Sequence, residues 1–458
     1  MLNLRPAKTI QGKVELPASP DLLFMAGLGA CAAARKIKIA NVNESGVLQE
    51  IERSLLGHAK FERRDSLLYI SPNTNKDPSL LLPLPDSLLP YRMIYLFMGL
   101  GMGKTVTMRS APQKQFDYYI AQAKRIGIKV ETETVTNELT GLKITEWKKE
   151  SLKKVNIDEE DCTALLSFIF GKRENITFGI DFHLSTPLRQ LANAFGFALN
   201  AKSLNAEKNG DPIAQRLRFL QNKKRGGQTQ NQLYTVEADF KSSNKDDKDD
   251  DGLEIKIPGD EILAAALLSA KCLVPKGDLI LSNVCLESWG SQAVSFIKKM
   301  GSKLNINETG KTAFGVHGTV ETQRVENSGK KIRCTPLYQF FGQLPSMMIA
   351  AAFAKEREKS VFRNLGGLRF YEPDGIDQLE KALRPLGVRH GEMPDGIVVE
   401  GARDFDGFEL TDALPAHIAI AFCMAGLRCL GKTSVQNGSI AARWPDFEKL
   451  LSEICEFL

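Results

Sequence analysis

The sequence lacks the features by which secreted, membrane-spanning and zinc-binding proteins are recognised. Its eight cysteines form no CxxC pair, and no histidine pair stands near them at zinc-binding spacing. It has no run of about 20 apolar residues, and its first ten residues, MLNLRPAKTI, have no apolar signal core. We therefore expect a cytoplasmic protein with no membrane partner, whose cysteines are reduced core residues.

A strong charge of either sign and the common catalytic motifs are also missing. The 60 Lys and Arg residues are nearly matched by 55 Asp and Glu residues, which does not favour nucleic acid as a partner. The stretch GLGMGKT fails as a phosphate loop because Met98 takes the position of the first glycine. The five histidines share no helical face and no GxSxG motif occurs, so we expect no metal and no cofactor.

The sequence does contain a repeated unit. In each copy an alanine-rich helix leads to a short strand ending in asparagine, then to an amphipathic helix closed by glycine, and then to another strand. Clear copies begin at LLFMAGLGACAAA, ILAAALLSAKCL, SMMIAAAFAKEREK and HIAIAFCMAGLRCLG, and weaker ones cover 91–130 and 162–200. One copy cannot bury both its faces alone. About six copies therefore predict an α/β protein of two lobes, with any ligand between them.

Two segments of similar sequence, VELPAS (14–19) and IKIPGD (255–260), combine a strand with a proline and look like crossings between the lobes. They place residues 1–17 and 253–458 in one lobe and residues 18–206 in the other. The intervening segment, 207–252, is polar and ends in the acidic run 241–252. We predict that this segment is a partly disordered insertion.

Two stretches carry charge where a helix is expected to begin. LRFYEPDGI contains Arg369, Glu372 and Asp374 ahead of an amphipathic helix, and ALPAHIAIAF contains His417 ahead of a buried one. A polar residue at such a position is often only a helix cap, so the structural and functional interpretations both stay open.

In this order, the two stretches resemble the C-terminal signature of the enolpyruvyl transferase family, and most closely that of the EPSP synthases. The family patterns LRxKESDR, DHR and KSFPxF correspond to LRFYEPDG, PAHIAIA and AARWPDFEKLL. IPGDEILAAALLSA resembles the family's Gly-Asp-x-Ser-Ser-Ala helix. The resemblance implies a two-lobed inside-out α/β barrel. It also implies a monomer of aromatic amino-acid biosynthesis that transfers enolpyruvyl from phosphoenolpyruvate to shikimate 3-phosphate.

The resemblance further implies roles for seven residues. Two anionic substrates require several cations to bind them, and the reaction requires groups that move protons. The residues implied to be catalytic are Glu372, Asp374 and His417, and those implied to bind substrate are Arg92, Lys114, Arg369 and Arg443.

Most of the family's other cations are replaced. The lysine of the Gly-Ser-Lys turn aligns with Pro20, and the arginine after it aligns with Met25. The final arginine of LRxKESDR aligns with Gly375, and the last family lysine aligns with Ala442. The catalytic aspartate has no clear counterpart near 342–346.

Three hypotheses remain at this point. The first is an enolpyruvyl transferase with a reshaped site. The second is a catalytically inactive relative that binds a different ligand or a protein partner. The third is a structural or nucleic-acid-binding protein. Descent favours the first. Residue chemistry alone favours the second, because acidic residues such as Asp21 and Asp86 would repel anionic substrates.

Overall fold

The structure is a computed structural model. It describes the chain except for residues 41, 43–44, 56, 65–66, 74–79, 82–91, 110–112, 138, 149–158, 181–192, 196, 204–233, 241–251, 288–290, 325–326, 334–341, 371–373 and 403.

The helices alternate between a buried and an amphipathic type. In chain order they are α1 (Pro20–Ala33), α2 (Gly46–Ser54), α3 (Arg92–Gly101), α4 (Gln113–Arg125), α5 (Glu159–Lys172), α6 (Glu261–Leu273), α7 (Ser291–Lys299), α8 (Leu344–Ala352), α9 (Gly375–Leu383), α10 (Ala416–Gly426), α11 (Gly438–Arg443) and α12 (Phe447–Ile454). A 3-10 helix covers Gly366–Phe370. In α6, α8 and α10 nearly every residue is buried, whereas α2, α9 and α12 bury one face only. The repeat's two kinds of helix are therefore present as predicted.

The strands are short and lie between the helices. They are β1 (Leu2–Leu4), β2 (Ala7–Ile10), β3 (Gly12–Glu15), β4 (Ile37–Ala40), β5 (Ala59–Arg64), β6 (Leu67–Pro72), β7 (Leu80–Leu81), β8 (Thr105–Arg109), β9 (Ile128–Thr136), β10 (Leu139–Trp147), β11 (Ile176–Ile180), β12 (Phe197–Ser203), β13 (Tyr234–Phe240), β14 (Leu253–Glu254), β15 (Leu279–Cys285), β16 (Lys303–Thr312), β17 (Gly315–Arg324), β18 (Lys331–Arg333), β19 (Lys359–Arg363), β20 (His390–Met393), β21 (Gly396–Glu400), β22 (Glu409–Leu410), β23 (Thr433–Val435) and β24 (Cys455–Phe457).

Four of the sheets share one strand order, which confirms the repeat. The orders are β14-β4-β6-β5, β7-β8-β10-β9, β3-β15-β17-β16 and β18-β19-β21-β20. In each, a parallel edge strand lies beside the first strand of the unit, and an antiparallel hairpin completes the sheet. Shorter sheets, β11-β13-β12 and β1-β23-β22, belong to the third and sixth units.

The recurring asparagine and glycine have a conformational reason. Asn283, at the irregularity within β15, and Asn364, directly after β19, have φ of 63° and 68°. Gly301 and Gly387, which follow amphipathic helices, have φ of 107° and 71°. Asparagine and glycine tolerate positive φ better than other residues, so these turns require them.

The two ends of the chain meet in shared sheets. Strand β3 runs parallel to β15, while β1 and β2 are antiparallel to β23 and β24. Residues 2–15 therefore pair with strands from the second half of the chain. The lobe boundaries given above stay a prediction.

Strand β13 lies inside the segment predicted as an insertion. Residues Tyr234–Phe240 pair with β11 on one side and β12 on the other, so they form the centre of the third sheet. The insertion predicted at 207–252 therefore includes the central strand of a sheet. The acidic residues 241–251 lie outside the described residues.

Several smaller expectations can be compared with the same structure. The seven described cysteines are free thiols, and all but Cys31 are buried, as predicted. None of the helices in the described part of the chain has the length and apolarity needed to cross a bilayer.

Gly101 and Gly171 let α3 and α5 pack closely, because a Cβ on either residue would collide with a carbonyl oxygen of the facing helix.

A buried lysine closes helix α6. The Lys271 side chain donates to the carbonyl oxygens of Pro275 and Lys276 at 2.7 and 2.8 Å, and also to those of Val274 and Gly277. Only 1% of the residue is exposed. Its ammonium group therefore binds the helix end to the loop 274–277, where the carbonyl of Lys276 also accepts from the backbone NH of Ile10.

We expect the Lys271→Met variant to lose about 2 kcal/mol of unfolding free energy, because methionine keeps the packing of the stem but removes every hydrogen bond of the ammonium group. Urea denaturation measures the loss. Lys298→Met, at an exposed position of α7, is the matched control and should change stability little. Equal losses in the two variants would contradict the role assigned to Lys271.

Candidate functional site

The two predicted crossing segments lie side by side. Ala18 and Gly259 form an antiparallel bridge, and the backbone NH of Ser19 donates to the carbonyl oxygen of Pro258 at 2.9 Å. The NH of Asp260 donates to the carbonyl of Pro17 at 2.8 Å. A helix begins directly after each crossing, so the N-termini of α1 and α6 open onto one place, which we call the junction.

Each of these two helices begins with a side-chain cap. The Ser19 hydroxyl accepts from the backbone NH of Leu22 at 3.3 Å. Asp260 Oδ1 accepts from the NH groups of Ile262 and Leu263 at 2.9 and 3.2 Å. Free NH groups at a helix N-terminus attract anions, and here side chains of the protein occupy those of the first turn.

Arg443, at the end of α11, lies between two carboxylates at the junction. Its Nε and Nη2 are 3.0 and 2.9 Å from Asp260 Oδ2, and Nη2 also donates to Asp21 Oδ2. The indole of Trp444 donates to the same Asp260 oxygen at 3.0 Å. All three charged side chains are at most 2% exposed. We call Asp21, Asp260, Glu261 and Arg443 the junction cluster.

Burial determines the protonation of this cluster. Burial raises the pKa of Glu261 to about 8, and the charges of Asp21 and Asp260 add to the shift. Burial also raises the pKa of Asp21, against the opposing effect of Arg443. Burial alone would lower the pKa of Arg443, but Asp21 and Asp260 hold it above its usual value. At neutral pH, Glu261 is therefore protonated and the arginine charge is matched by its aspartate partners.

A cavity of about 270 Å³ opens beside the cluster, between β3, α2 and α12. Arg443 and Asp260 lie at its floor. Its walls include the apolar side chains of Leu48 and Ile51 from α2 and of Trp444 and Phe447 from the C-terminal segment. Within the described part of the chain, no group of His, Cys, Asp and Glu residues is arranged to hold a metal ion.

Of the seven residues predicted to form the site, Arg443 is the one that lines this cavity, and its Nε and Nη2 are already bonded to carboxylates. His417, the second residue of α10, is half-buried, and its pKa is lowered to about 3 by burial and by Arg443. It is therefore neutral at physiological pH.

Asp374 and Arg369 have structural partners. Asp374 caps α9 by accepting from the NH groups of Ile376 and Asp377 at 2.9 and 3.3 Å, which is the helix-cap alternative left open above. Arg369 binds Asp374 at 3.2 Å and Glu392 at 2.6 Å, and also two backbone carbonyls. Its Nε, Nη1 and Nη2 all donate within this network.

The remaining predicted residues lie elsewhere. Arg92 begins α3 and is half-buried, and it does not line the cavity. Lys114 falls in the first turn of α4, but its side chain is outside the described part. Glu372 lies outside the described residues. Catalytic and substrate-binding roles for these residues stay predictions.

Sequence reasoning did not assign a role to Asp260, Glu261 or Trp444. The motif IPGDEI, which was aligned with the family's Gly-Asp helix, contained the signal for the first two. Asp21 was noticed only as an acidic residue that would oppose anions. Its pairing with Arg443 joins residues 422 positions apart, which no local pattern reveals.

Comparison with known proteins identifies the fold. Residues 235–451 match the family model for EPSP synthase (3-phosphoshikimate 1-carboxyvinyltransferase). Curated 3-phosphoshikimate 1-carboxyvinyltransferases from Desulfitobacterium hafniense and Pelotomaculum thermopropionicum are 26% and 28% identical over 206 and 204 residues. These alignments cover 45% and 44% of this chain and 47% of each relative. The chain thus spans about half the length of the curated relatives it matches.

Solved structures match over nearly the whole chain. EPSP synthase from Acinetobacter baumannii aligns with a TM-score of 0.61 and 15% identity, over 99% of this chain and 98% of its own. The enolpyruvyl transferase NikO from Streptomyces tendae aligns with a TM-score of 0.59 and 13% identity, over 99% and 96%. The chain therefore has the two-lobed inside-out α/β fold of the enolpyruvyl transferases, and its residues 235–451 are similar in sequence to the EPSP synthases.

Proposed function

We propose that this chain is a binding protein derived from an enolpyruvyl transferase, and that it does not transfer enolpyruvyl from phosphoenolpyruvate to shikimate 3-phosphate. The observation that carries the proposal is the position of Arg443 between Asp21 and Asp260, at most 2% exposed. This arginine lies at the junction of the two crossings, yet its charge is already matched by carboxylates.

The loss of binding energy is large. Each hydrogen bond to a charged group contributes roughly 1.5–3 kcal/mol. Five or more replaced cations therefore remove on the order of 10 kcal/mol of substrate and transition-state binding. Arg369 cannot supply much of this, because Asp374 and Glu392 already pair with it. The pairing of Arg443 and Arg369 with carboxylates thus leaves neither guanidinium free to hold a phosphorylated anion.

The chemistry that moves protons also lacks support. The stretch aligned with the family's catalytic aspartate contains Gln343 and Ser346, and both are buried at the start of α8. The Gln343 side chain accepts from the backbone NH of Ala293 at 3.0 Å, so it has a structural partner. Neither an amide nor a serine hydroxyl without a base is a proton acceptor near neutral pH.

The test is an assay of phosphate release. Purified protein is mixed with phosphoenolpyruvate and shikimate 3-phosphate, each at millimolar concentration, and the relative from Desulfitobacterium hafniense is assayed in parallel as the positive control. We expect release from the control and none from this chain above the no-enzyme rate. Release that depends on both substrates would overturn the proposal.

A second function, the transferase reaction itself, is supported by one observation. The curated proteins that match residues of this chain at 26–28% identity are 3-phosphoshikimate 1-carboxyvinyltransferases. Phosphate release in the same assay would establish this function in place of the first.

A further inference from the structure

The cavity at the junction has a floor that presents one donor group. Arg443 uses Nε and Nη2 for its two aspartates, and Nη1 has no hydrogen-bond partner among the described residues. Nη1 is not completely buried, so it is open to the cavity that Arg443 lines. The floor therefore offers N–H donors without a net positive charge.

One part of the cavity wall is apolar. Leu23, Leu48 and Ile51 face it from one side, and Phe447 and Leu450 face it from α12. The first four of these residues are at most 3% exposed. Burying an apolar ligand surface against these side chains is favourable. Apolar contact and the Arg443 donor are thus both available to a ligand.

The rim is acidic. Glu15, Asp446 and Glu453 lie on it, and Lys449 is its one cation among the described lining residues. Lys449 is also 4.0 Å from Glu453, its neighbour one helical turn away. This rim disfavours phosphates and carboxylates at the entrance.

We infer that the cavity binds a neutral, mainly apolar small molecule whose carbonyl-type acceptor receives a hydrogen bond from Arg443 Nη1. The inference rests on the proposed absence of transferase activity, because a working transferase would need this region for anions. A volume of about 270 Å³ is close to the lower end of ordinary ligand pockets and suits a molecule of one to two fused rings.

The experiment uses a matched series of naphthalenes on the full-length protein. The probes are 2-acetylnaphthalene, which has an acceptor; 2-ethylnaphthalene, which has none; 2-naphthoate, an anion; and 2-naphthylmethylammonium, a cation. Titration calorimetry and thermal shift measure their binding. We expect the ketone to bind about tenfold more tightly than the hydrocarbon, the difference of one hydrogen bond to a charged donor.

Location is tested with two tryptophan variants. Leu450→Trp fills the cavity from a half-buried rim position and should weaken ketone binding by more than about tenfold. Leu430→Trp, at a 54% exposed position that does not line the cavity, is the control and should leave binding unchanged. Equal binding by the two variants would place the ligand elsewhere and overturn the inference.

The remaining outcomes separate the inference from the proposed function. Tightest binding by the anion or the cation overturns the inferred ligand class. No binding of any probe at about 1 mM, the weak end of ordinary substrate affinities, also overturns it. Either result leaves the proposed function standing unless phosphate is released from the two substrates, because the phosphate assay alone decides that question.

Discussion

Replacing Arg443 with methionine is expected to lower the free energy of unfolding by about 3–5 kcal/mol. The substitution keeps much of the side-chain volume but leaves Asp21 and Asp260 buried without their counter-ion. Removing one partner of a buried ion pair is costly, because the remaining charge has neither water nor an opposite charge. A loss of this size is a large fraction of the stability of an ordinary domain.

Arg428→Met is the matched control. Arg428 pairs with Asp404 at 2.9 Å, but the two side chains are 37% and 57% exposed. An exposed ion pair contributes about 0–1 kcal/mol, so this variant should unfold close to the wild type in urea. If the two variants lost the same stability, the junction cluster would not hold the fold together, and the main argument against a free substrate-binding arginine would be lost.

The second large effect is a dependence of stability on pH that comes from Glu261. Its pKa is raised from the ordinary value of 4.5 to about 8 in the folded protein, chiefly by burial. The folded state therefore binds a proton more tightly than the unfolded state. The stability from this group is fully present below about pH 4.5, and it is lost as the pH rises through about 8.

The Glu261→Gln variant tests this assignment, because glutamine has the shape of the protonated acid and cannot ionise. We expect the variant to match the wild type near pH 5 and to be more stable by about 3–5 kcal/mol near pH 9. Urea denaturation at a series of pH values measures the difference. Glu133→Gln, on an exposed part of β9, should give no such gain, since its carboxyl group meets water in both states. A constant difference between Glu261→Gln and the wild type across the series would refute the assignment.

The repeat was predictable because its signals are local. An alanine-rich helix such as α6 is apolar on every face, whereas α9 is apolar on one face, and each pattern can be read within about four turns. The asparagine and glycine positions follow from the backbone conformation at single residues. The strand β13 was missed because it lies in a polar segment, and its place is set by β11 and β12 on either side.

The site was harder to predict than the fold. The residues around Arg443 align with a family motif, which suggested that Arg443 binds substrate. Its partners Asp21 and Asp260 lie 422 and 183 positions away in the sequence. Whether a guanidinium group is open or already paired depends on how α1, α6 and α11 meet, and the sequence around each helix does not record that. Asp374 was seen as a candidate in two roles, and only the positions of the Ile376 and Asp377 NH groups identify the capping role.

The pairing of β2 with β24 also constrains how the molecule is made. Residues 7–10 complete a two-stranded sheet with residues 455–457, which emerge from the ribosome some 450 positions later. At roughly 5–20 residues per second, the earlier strand waits on the order of tens of seconds for its partner. During synthesis residues 7–10 therefore have an open edge, and the sheet that they share with residues 455–457 cannot form until translation has passed those residues.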